Sequence, residues 1–149
     1  MYWLRDRLAR IQGGSMSAQH EALIQRFYEG INEGRLEVID DVVSPLFVEH
    51  EAFPGIEPTR DGVRQMFELM RTAFPDYHMA IEDLVLTDDR AAIRGVMRGT
   101  HRGPFLDMEP TGKAFSVPFA DFLRFDGGRI VEHWGVTDTG AMMQQLSEE

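Results

Sequence analysis

The stretch SVPFADFLRFDGGRIVEHW, residues 116–134, contains an acid at a position where an apolar residue is expected. It is typical of a β-hairpin, with two strands joined by the turn residues DGG. Side chains in a strand alternate between two faces, so Asp121 points the same way as every second neighbour. Those neighbours are Val117, Phe119, Leu123 and Phe125. A carboxyl group in such a row requires a chemical or structural explanation.

A carboxyl group among apolar side chains resists ionisation, because desolvation disfavours its charged form. Asp121 could therefore give a proton to a developing oxyanion, or take one from carbon, near neutral pH. A protonated His133 beside it has the opposite effect, since a nearby cation favours the carboxylate. The two residues form a candidate proton shuttle. The structural alternative is that Asp121 is only a hydrogen-bond or ion-pair partner for His133 or an arginine.

The turn decides which residue lies opposite Asp121. A three-residue DGG loop with Gly128 in the left-handed conformation places His133 opposite it, and we favour this geometry. A two-residue GG loop shifts the register by one and places Trp134 there instead. In the favoured register the inner face holds Asp121, His133 and Gly135, and the outer face holds Glu132 and Trp134.

Composition limits the class of protein and its partners. A chain of 149 residues, 43% of them hydrophobic, fits one globular domain with a single core. The net charge of −10 argues against nucleic acid and anionic membranes as partners, and favours a neutral or weakly charged small molecule. No apolar run approaches the ~20 residues that cross a bilayer. The absence of cysteine excludes disulfides, a thiol nucleophile and thiolate metal sites.

The first sixteen residues differ from the rest. They carry three arginines against one aspartate, end in a GGS break and lack the apolar core of a secretory signal. We interpret residues 1–16 as a leader, tag or upstream-start extension, and residues 17–149 as a single domain. We expect the protein to be cytoplasmic.

Three helices are predicted ahead of the strands. The first starts at Ser17 as N-cap and ends at Gly34, and a shorter one covers residues 36–43. The third is capped by Thr59 and ends before Pro75. Helices followed by antiparallel strands indicate an α+β domain in which the helices cover one face of the sheet.

Residues 77–136 are strand-like, with short links that predict an antiparallel meander. One face of the second of these strands carries Ile93, Gly95, Met97, Gly99 and His101. Gly95 and Gly99 leave space on this face that a ligand could occupy. The alternative is that they mark bulges that curve the sheet.

The sequence from Gly99 to Asp138 resembles the SnoaL-like polyketide cyclase family, and more broadly ketosteroid isomerase and nuclear transport factor two. The resemblance covers about residues 17–145. Its most specific parts are the THRG, PTGK, DFLRF and GRIVEHW segments. It implies a cone-shaped fold, in which three N-terminal helices pack on a curved, mostly antiparallel sheet and enclose an apolar pocket. It also implies a homodimer formed through the outer sheet face, which contains Trp134.

The same resemblance implies roles for particular residues. Asp121 matches the acid/base of an intramolecular aldol cyclisation, and His101 is expected near the mouth of the pocket. His50 matches the place of the isomerase's base. The isomerase's oxyanion tyrosine falls at Phe27, with Tyr28 one step off and facing elsewhere. These departures argue against steroid isomerase activity.

Other chemistries receive less support. An epoxide-hydrolase type of site needs an arginine in the pocket, whereas Arg94 and Arg98 lie on the opposite strand face. The five histidines show no metal-ligand spacing, so we expect no metal and no cofactor. His20 and His78 are expected to be solvated.

Two functions therefore stay open. The first is a cyclase, isomerase or lyase acting on a hydrophobic carbonyl compound, with Asp121 as general acid/base assisted by His101, His133 and His50. The second is a non-catalytic binding or carrier protein with the same pocket. The candidate substrate-binding residues are Phe27, Phe53, Met66, Phe67, Met70, Met97, Phe119 and Gly135. Neither the substrate nor the conformation of loop 102–111 follows from the sequence.

Overall fold

A computed structural model of the chain describes residues 15–147. The elements are α1 (Ser15–Glu33), α2 (Val38–Val42), β1 (Val43–Glu49), α3 (Arg60–Ala73), β2 (His78–Leu86), β3 (Arg90–Thr100), β4 (Ala114–Asp126), β5 (Arg129–Thr137) and α4 (Thr139–Ser147). The extension predicted at residues 1–16 lies outside the described residues, apart from its last two, which begin α1. Three helices precede the meander as expected, whereas α4 was not predicted.

Helix α1 ends as its sequence predicts but begins earlier. At its end Gly34 has a φ of +76°, and the Arg35 amide donates to the Gly30 carbonyl at 2.8 Å, the type of closure that glycine permits. Ser17 does not cap the helix, because it lies within the first turns. Its hydroxyl is 3.4 Å from the carbonyl oxygen of Thr87, so it ties α1 to the end of the β2 strand.

Helix α3 begins at its predicted cap, Thr59, and ends before Pro75 as predicted. The Thr59 hydroxyl accepts a hydrogen bond from the Gly62 amide at 3.3 Å, which satisfies one of the free N–H groups of the first turn. Val63, Phe67 and Met70 recur at helical spacing on one face of the helix and are buried. Each such side chain contributes about 1.5–3 kcal/mol through removal of apolar surface from water. The helix is thereby held against the inner face of the sheet.

The five strands form one curved sheet in the order β1-β5-β4-β3-β2. The four strands from β2 to β5 form the predicted antiparallel meander. Strand β1 pairs with β5 in parallel at the edge of the sheet. This parallel pairing was not predicted from the sequence. Helices over a curved sheet confirm the α+β, cone-shaped fold. No helix between residues 15 and 147 has the length and apolar character needed to cross a membrane.

The two glycines of β3 do not open space for a ligand. A Cβ at Gly95 would lie 2.7 Å from the ring of Phe119, and one at Gly99 would lie 2.8 Å from Cβ of Phe74. The space is therefore filled by core aromatic rings, and the prediction of a pocket at this point is wrong. The alternative has support, because the register of β2 shifts just after Ile81, the partner of Gly95.

Neither predicted register of the β4–β5 hairpin is correct. Gly127 and Gly128, with φ values of +57° and +75°, form a two-residue turn, and a bulge follows in the ladder. The turn and the bulge each shift the pairing by one residue, so Asp121 lies opposite Gly135. Because side chains alternate with a period of two, a total shift of two residues leaves each side chain on its predicted face. The predicted inner set of Asp121, His133 and Gly135 is therefore kept.

Candidate acid–base site

A cavity of about 370 Å³ lies between the helices and the inner face of the sheet. Its wall is mainly apolar. Six of the eight predicted substrate-binding residues line it: Phe27, Phe53, Met66, Phe67, Met70 and Met97. Phe119 does not line it, because its ring fills the space above Gly95 and lies 6.4 Å from the ring of Tyr28. Gly135 does not line it either.

Asp121 lies at the wall of this cavity with both carboxylate oxygens engaged. Its Oδ1 is 2.7 Å from Nε2 of His133, and its Oδ2 accepts a hydrogen bond of 2.5 Å from the Tyr28 hydroxyl. Asp121 is thus the hydrogen-bond partner of His133, as the structural alternative required. It also lines the cavity in which a small molecule could bind, as its interpretation as an acid–base group required.

His133 lies between two carboxylates. Its Nδ1 is 2.6 Å from Oε1 of Glu49, while its Nε2 contacts Asp121. Burial lowers the pKa of His133, but the hydrogen bonds and charges of Asp121 and Glu49 outweigh this and raise it to about 10. Both ring nitrogens therefore donate, and the imidazole is a cation at neutral pH.

Gly135 explains how the imidazole fits against the sheet. A Cβ at this position would lie 2.8 Å from Cε1 and Nε2 of His133, and 2.3 Å from Oε2 of Glu51. Only glycine leaves this room. Glu51 lines the cavity as an exposed residue, and desolvation by its surroundings raises the pKa of its carboxyl. The charge of His133 opposes that shift, whereas those of Asp121 and Glu49 add to it.

Tyr28 faces the site, which corrects the expectation that it points elsewhere. It is buried, and both burial and the adjacent Asp121 raise the pKa of its phenol well above the ordinary value. Tyr28 therefore acts as a hydrogen-bond donor and does not ionise. The signal was present in the sequence, because Tyr28 lies four residues after Ile24 and three before Ile31, on the same helical stripe.

His50 is outside the site. Its Nε2 is 2.7 Å from Oε2 of Glu132, and its ring stacks on Trp134 with centroids 4.6 Å apart, on the outer side of the sheet. The cavity is lined instead by the residues on either side, Glu49 and Glu51. Alternation from the buried Phe47 predicts these inner positions, and this signal was missed.

His101 is also absent from the cavity wall. It is fully buried beside Phe74, with ring centroids 5.5 Å apart, and the backbone amide of Thr111 donates to its Nδ1 at 3.2 Å. His101 therefore fixes the base of the following loop and does not reach the pocket mouth. That loop supplies Phe105 and Leu106 to the cavity.

The remaining histidines correct a further expectation. His20 is buried and stacks on Phe125 with centroids 4.1 Å apart, and burial lowers its pKa despite nearby carboxylates. His78 is half-buried, and burial likewise lowers its pKa. His20 is therefore not solvated, contrary to the prediction, whereas His78 keeps part of its surface exposed to solvent. Arg94 is mostly exposed and pairs with Glu82 at 3.5 Å, away from the cavity. Within residues 15–147 no three metal-ligating side chains are grouped to hold an ion.

The fold and the site define a class of protein. Helices and a curved sheet enclose an apolar cavity, and a carboxylate–imidazole–carboxylate cluster is placed at its wall. The family model for SnoaL-like polyketide cyclases matches residues 22–146, so the chain belongs to this family.

Individual relatives agree with this assignment. The chain is 26% identical over 134 residues to the aklanonic acid methyl ester cyclase AcmA of Streptomyces galilaeus, covering 85% of this chain and 90% of that protein. IdmH of Streptomyces antibioticus is 33% identical with a TM-score of 0.76, covering 86% of this chain and 98% of the other. TsrD of Streptomyces laurentii is 26% identical with a TM-score of 0.80, covering 87% and 96%.

Proposed function

We propose that the protein is an acid–base enzyme that closes a ring in a hydrophobic carbonyl compound by an intramolecular aldol reaction. The observation that carries the proposal is the position of Asp121, hydrogen-bonded to a cationic His133 at the wall of an apolar cavity. An apolar cavity with a few convergent polar groups suits a small organic ligand. The polar groups at this cavity include the carboxylate of Asp121 and the imidazole of His133, and both kinds of side chain transfer protons in enzymes.

The chemistry requires a proton to leave carbon and another to reach oxygen. The negative charge that develops on the substrate oxygen is stabilised by the adjacent imidazolium, at a cavity wall that is otherwise mainly apolar. The proton that ends on the new hydroxyl group comes from the Asp121–His133 pair. Such proton transfers typically contribute about 100-fold to 10,000-fold to a rate. The cyclase activity stated in the name of AcmA supports this choice of reaction.

A linear aryl keto methyl ester tests the proposed reaction. We expect the protein to convert it to a cyclic isomer of equal mass, because an aldol closure loses no atoms. Liquid chromatography with mass detection and ultraviolet spectra distinguishes the isomers. If the ester binds, as seen by ligand-observed NMR, but is not converted, the binding or carrier function is the better description.

We also propose that two copies associate through the outer sheet face. Phe122 and Val136 are 51% and 68% exposed there, beside the partly exposed Trp134, and together they form an apolar patch. We expect a dimer in analytical ultracentrifugation, and a monomer once Val136→Glu and Phe122→Lys place charges in the patch. A wild-type monomer at all concentrations, or an unaffected dimer in the double variant, would rule out this interface.

A further inference from the structure

We propose that Glu51 is a second proton-transfer group of this site, which takes the proton from the substrate's α-carbon while Asp121 and His133 serve the oxygen. The inference rests on the proposed aldol function. It assigns the two proton movements of that reaction to two separate groups on the cavity wall.

Asp121 is poorly prepared to be the base toward carbon. Tyr28 donates to one of its oxygens and His133 to the other, at 2.5 and 2.7 Å. A proton taken from carbon would have to compete with these two donors for the same carboxylate oxygens. A separate carboxylate without such donors would remove a proton from carbon more readily.

Glu51 is a carboxylate of that kind. Among the residues that the structure describes, its backbone N–H bonds Oε1 of Glu49, but no group donates a hydrogen bond to its side chain. Glu51 is an exposed residue, yet desolvation by its surroundings raises the pKa of its carboxyl, opposed by His133 and reinforced by Asp121 and Glu49. A raised pKa makes the carboxylate a stronger base, closer to the working range of a general base at neutral pH.

The position of Glu51 suits proton transfer within one bound molecule. Its Oε2 lies 2.3 Å from the point where a Cβ of residue 135 would be, and His133 Nε2 lies 2.8 Å from the same point. Gly135 thus lets the free carboxylate and the imidazolium lie side by side at the cavity wall. A substrate carbonyl directed at the imidazolium brings its α-carbon toward the carboxylate.

The step is balanced without any further reactant. The α C–H bond breaks, its proton goes to Glu51, and its electron pair forms the enolate, whose oxygen faces the imidazolium. The enolate carbon then attacks the second carbonyl carbon and forms the C–C bond. The resulting alkoxide takes a proton from the Asp121–His133 pair, and Glu51 returns its proton to that pair through water. Nothing is oxidised or reduced.

Exchange of hydrogen for deuterium at an α-carbon isolates the role of Glu51, because it needs proton removal but no ring closure. The probe is α-tetralone in D2O, with loss of its α-proton signals followed by NMR. We expect the wild type to accelerate exchange, and Glu51→Gln to reduce this acceleration about 100-fold or more. Glu51→Asp, which keeps the carboxylate on a shorter stem, should retain part of it. Glu68→Gln, an exposed change on α3, is the matched control and should equal the wild type.

The outcomes separate the inference from the function on which it rests. Exchange by Glu51→Gln at the wild-type rate would overturn the role of Glu51 and leave the proposed function standing. A wild type that accelerates neither exchange nor cyclisation would overturn both. Loss of exchange in Glu51→Gln, with unchanged circular dichroism and retained binding of α-tetralone by saturation-transfer NMR, would support the assignment. An equal loss in Glu68→Gln would contradict it.

Discussion

Asp121→Asn is expected to lower the turnover of a cyclisable keto ester by about 100-fold to 10,000-fold, the usual contribution of a general acid–base group. Asparagine keeps the size and one acceptor oxygen, so Tyr28 can still donate and the cavity keeps its shape. What is lost is the carboxylate that holds the charge of His133 and exchanges its proton. The loss should therefore appear in kcat, with ligand affinity changed little.

Asp126→Asn is the matched control, because it makes the same chemical change in the same strand at an exposed position away from the cavity. It should retain wild-type kinetics. Both variants should show the circular dichroism of the wild type. Unchanged turnover in Asp121→Asn would remove Asp121 from catalysis, whereas a loss of binding equal to the loss of turnover would assign it to ligand recognition.

The unfolding free energy should depend on pH through His133. Its pKa is raised from 6.5 to about 10 by its two carboxylate partners, so the folded state binds the proton more tightly than the unfolded state does. The stabilisation is therefore fully present below pH 6.5 and is lost as the pH rises toward 10. Between these limits the loss is at most about 1.4 kcal/mol per pH unit for one proton.

The measurement is urea unfolding of the wild type and His133→Gln at several pH values across this window. Because other groups titrate in both proteins, the informative quantity is the difference between them. We expect this difference to change steadily as the pH rises, with the wild type losing its advantage. Two parallel curves would show that His133 binds its proton no more tightly in the folded protein than in the unfolded one.

Local sequence patterns predicted the fold well because its elements depend on local chemistry. The glycine end of α1 and the Thr59 cap of α3 each rest on residues close in the chain. The hairpin shows the limit of such reasoning. Turn residues allowed two registers, and the bulge that decided the pairing depends on how β5 fits between two neighbouring strands. The faces of the strands were nevertheless correct, because two single shifts cancel.

The site was predicted only in part, because its contacts join distant segments. Tyr28 and Asp121 are 93 residues apart, and His133 and Glu49 are 84 apart. No local pattern gives such pairs. The choice of His50 failed for a simpler reason: the resemblance located the correct strand end, but strand alternation places its neighbours inside. His101 was predicted near the pocket mouth but packs against Phe74 in the core, because the path of its loop depends on this packing.

The proposed chemistry depends most on the cationic state of His133 between Asp121 and Glu49 at the wall of the cavity. NMR titration of its imidazole, with nitrogen-labelled histidine and His133→Gln to assign the signal, tests it directly. We expect both ring nitrogens to stay protonated at pH 8 and the ring to titrate at about 10. A ring that titrates close to 6.5, as histidine does in water, would show that Asp121 and Glu49 do not hold His133 as a cation at neutral pH.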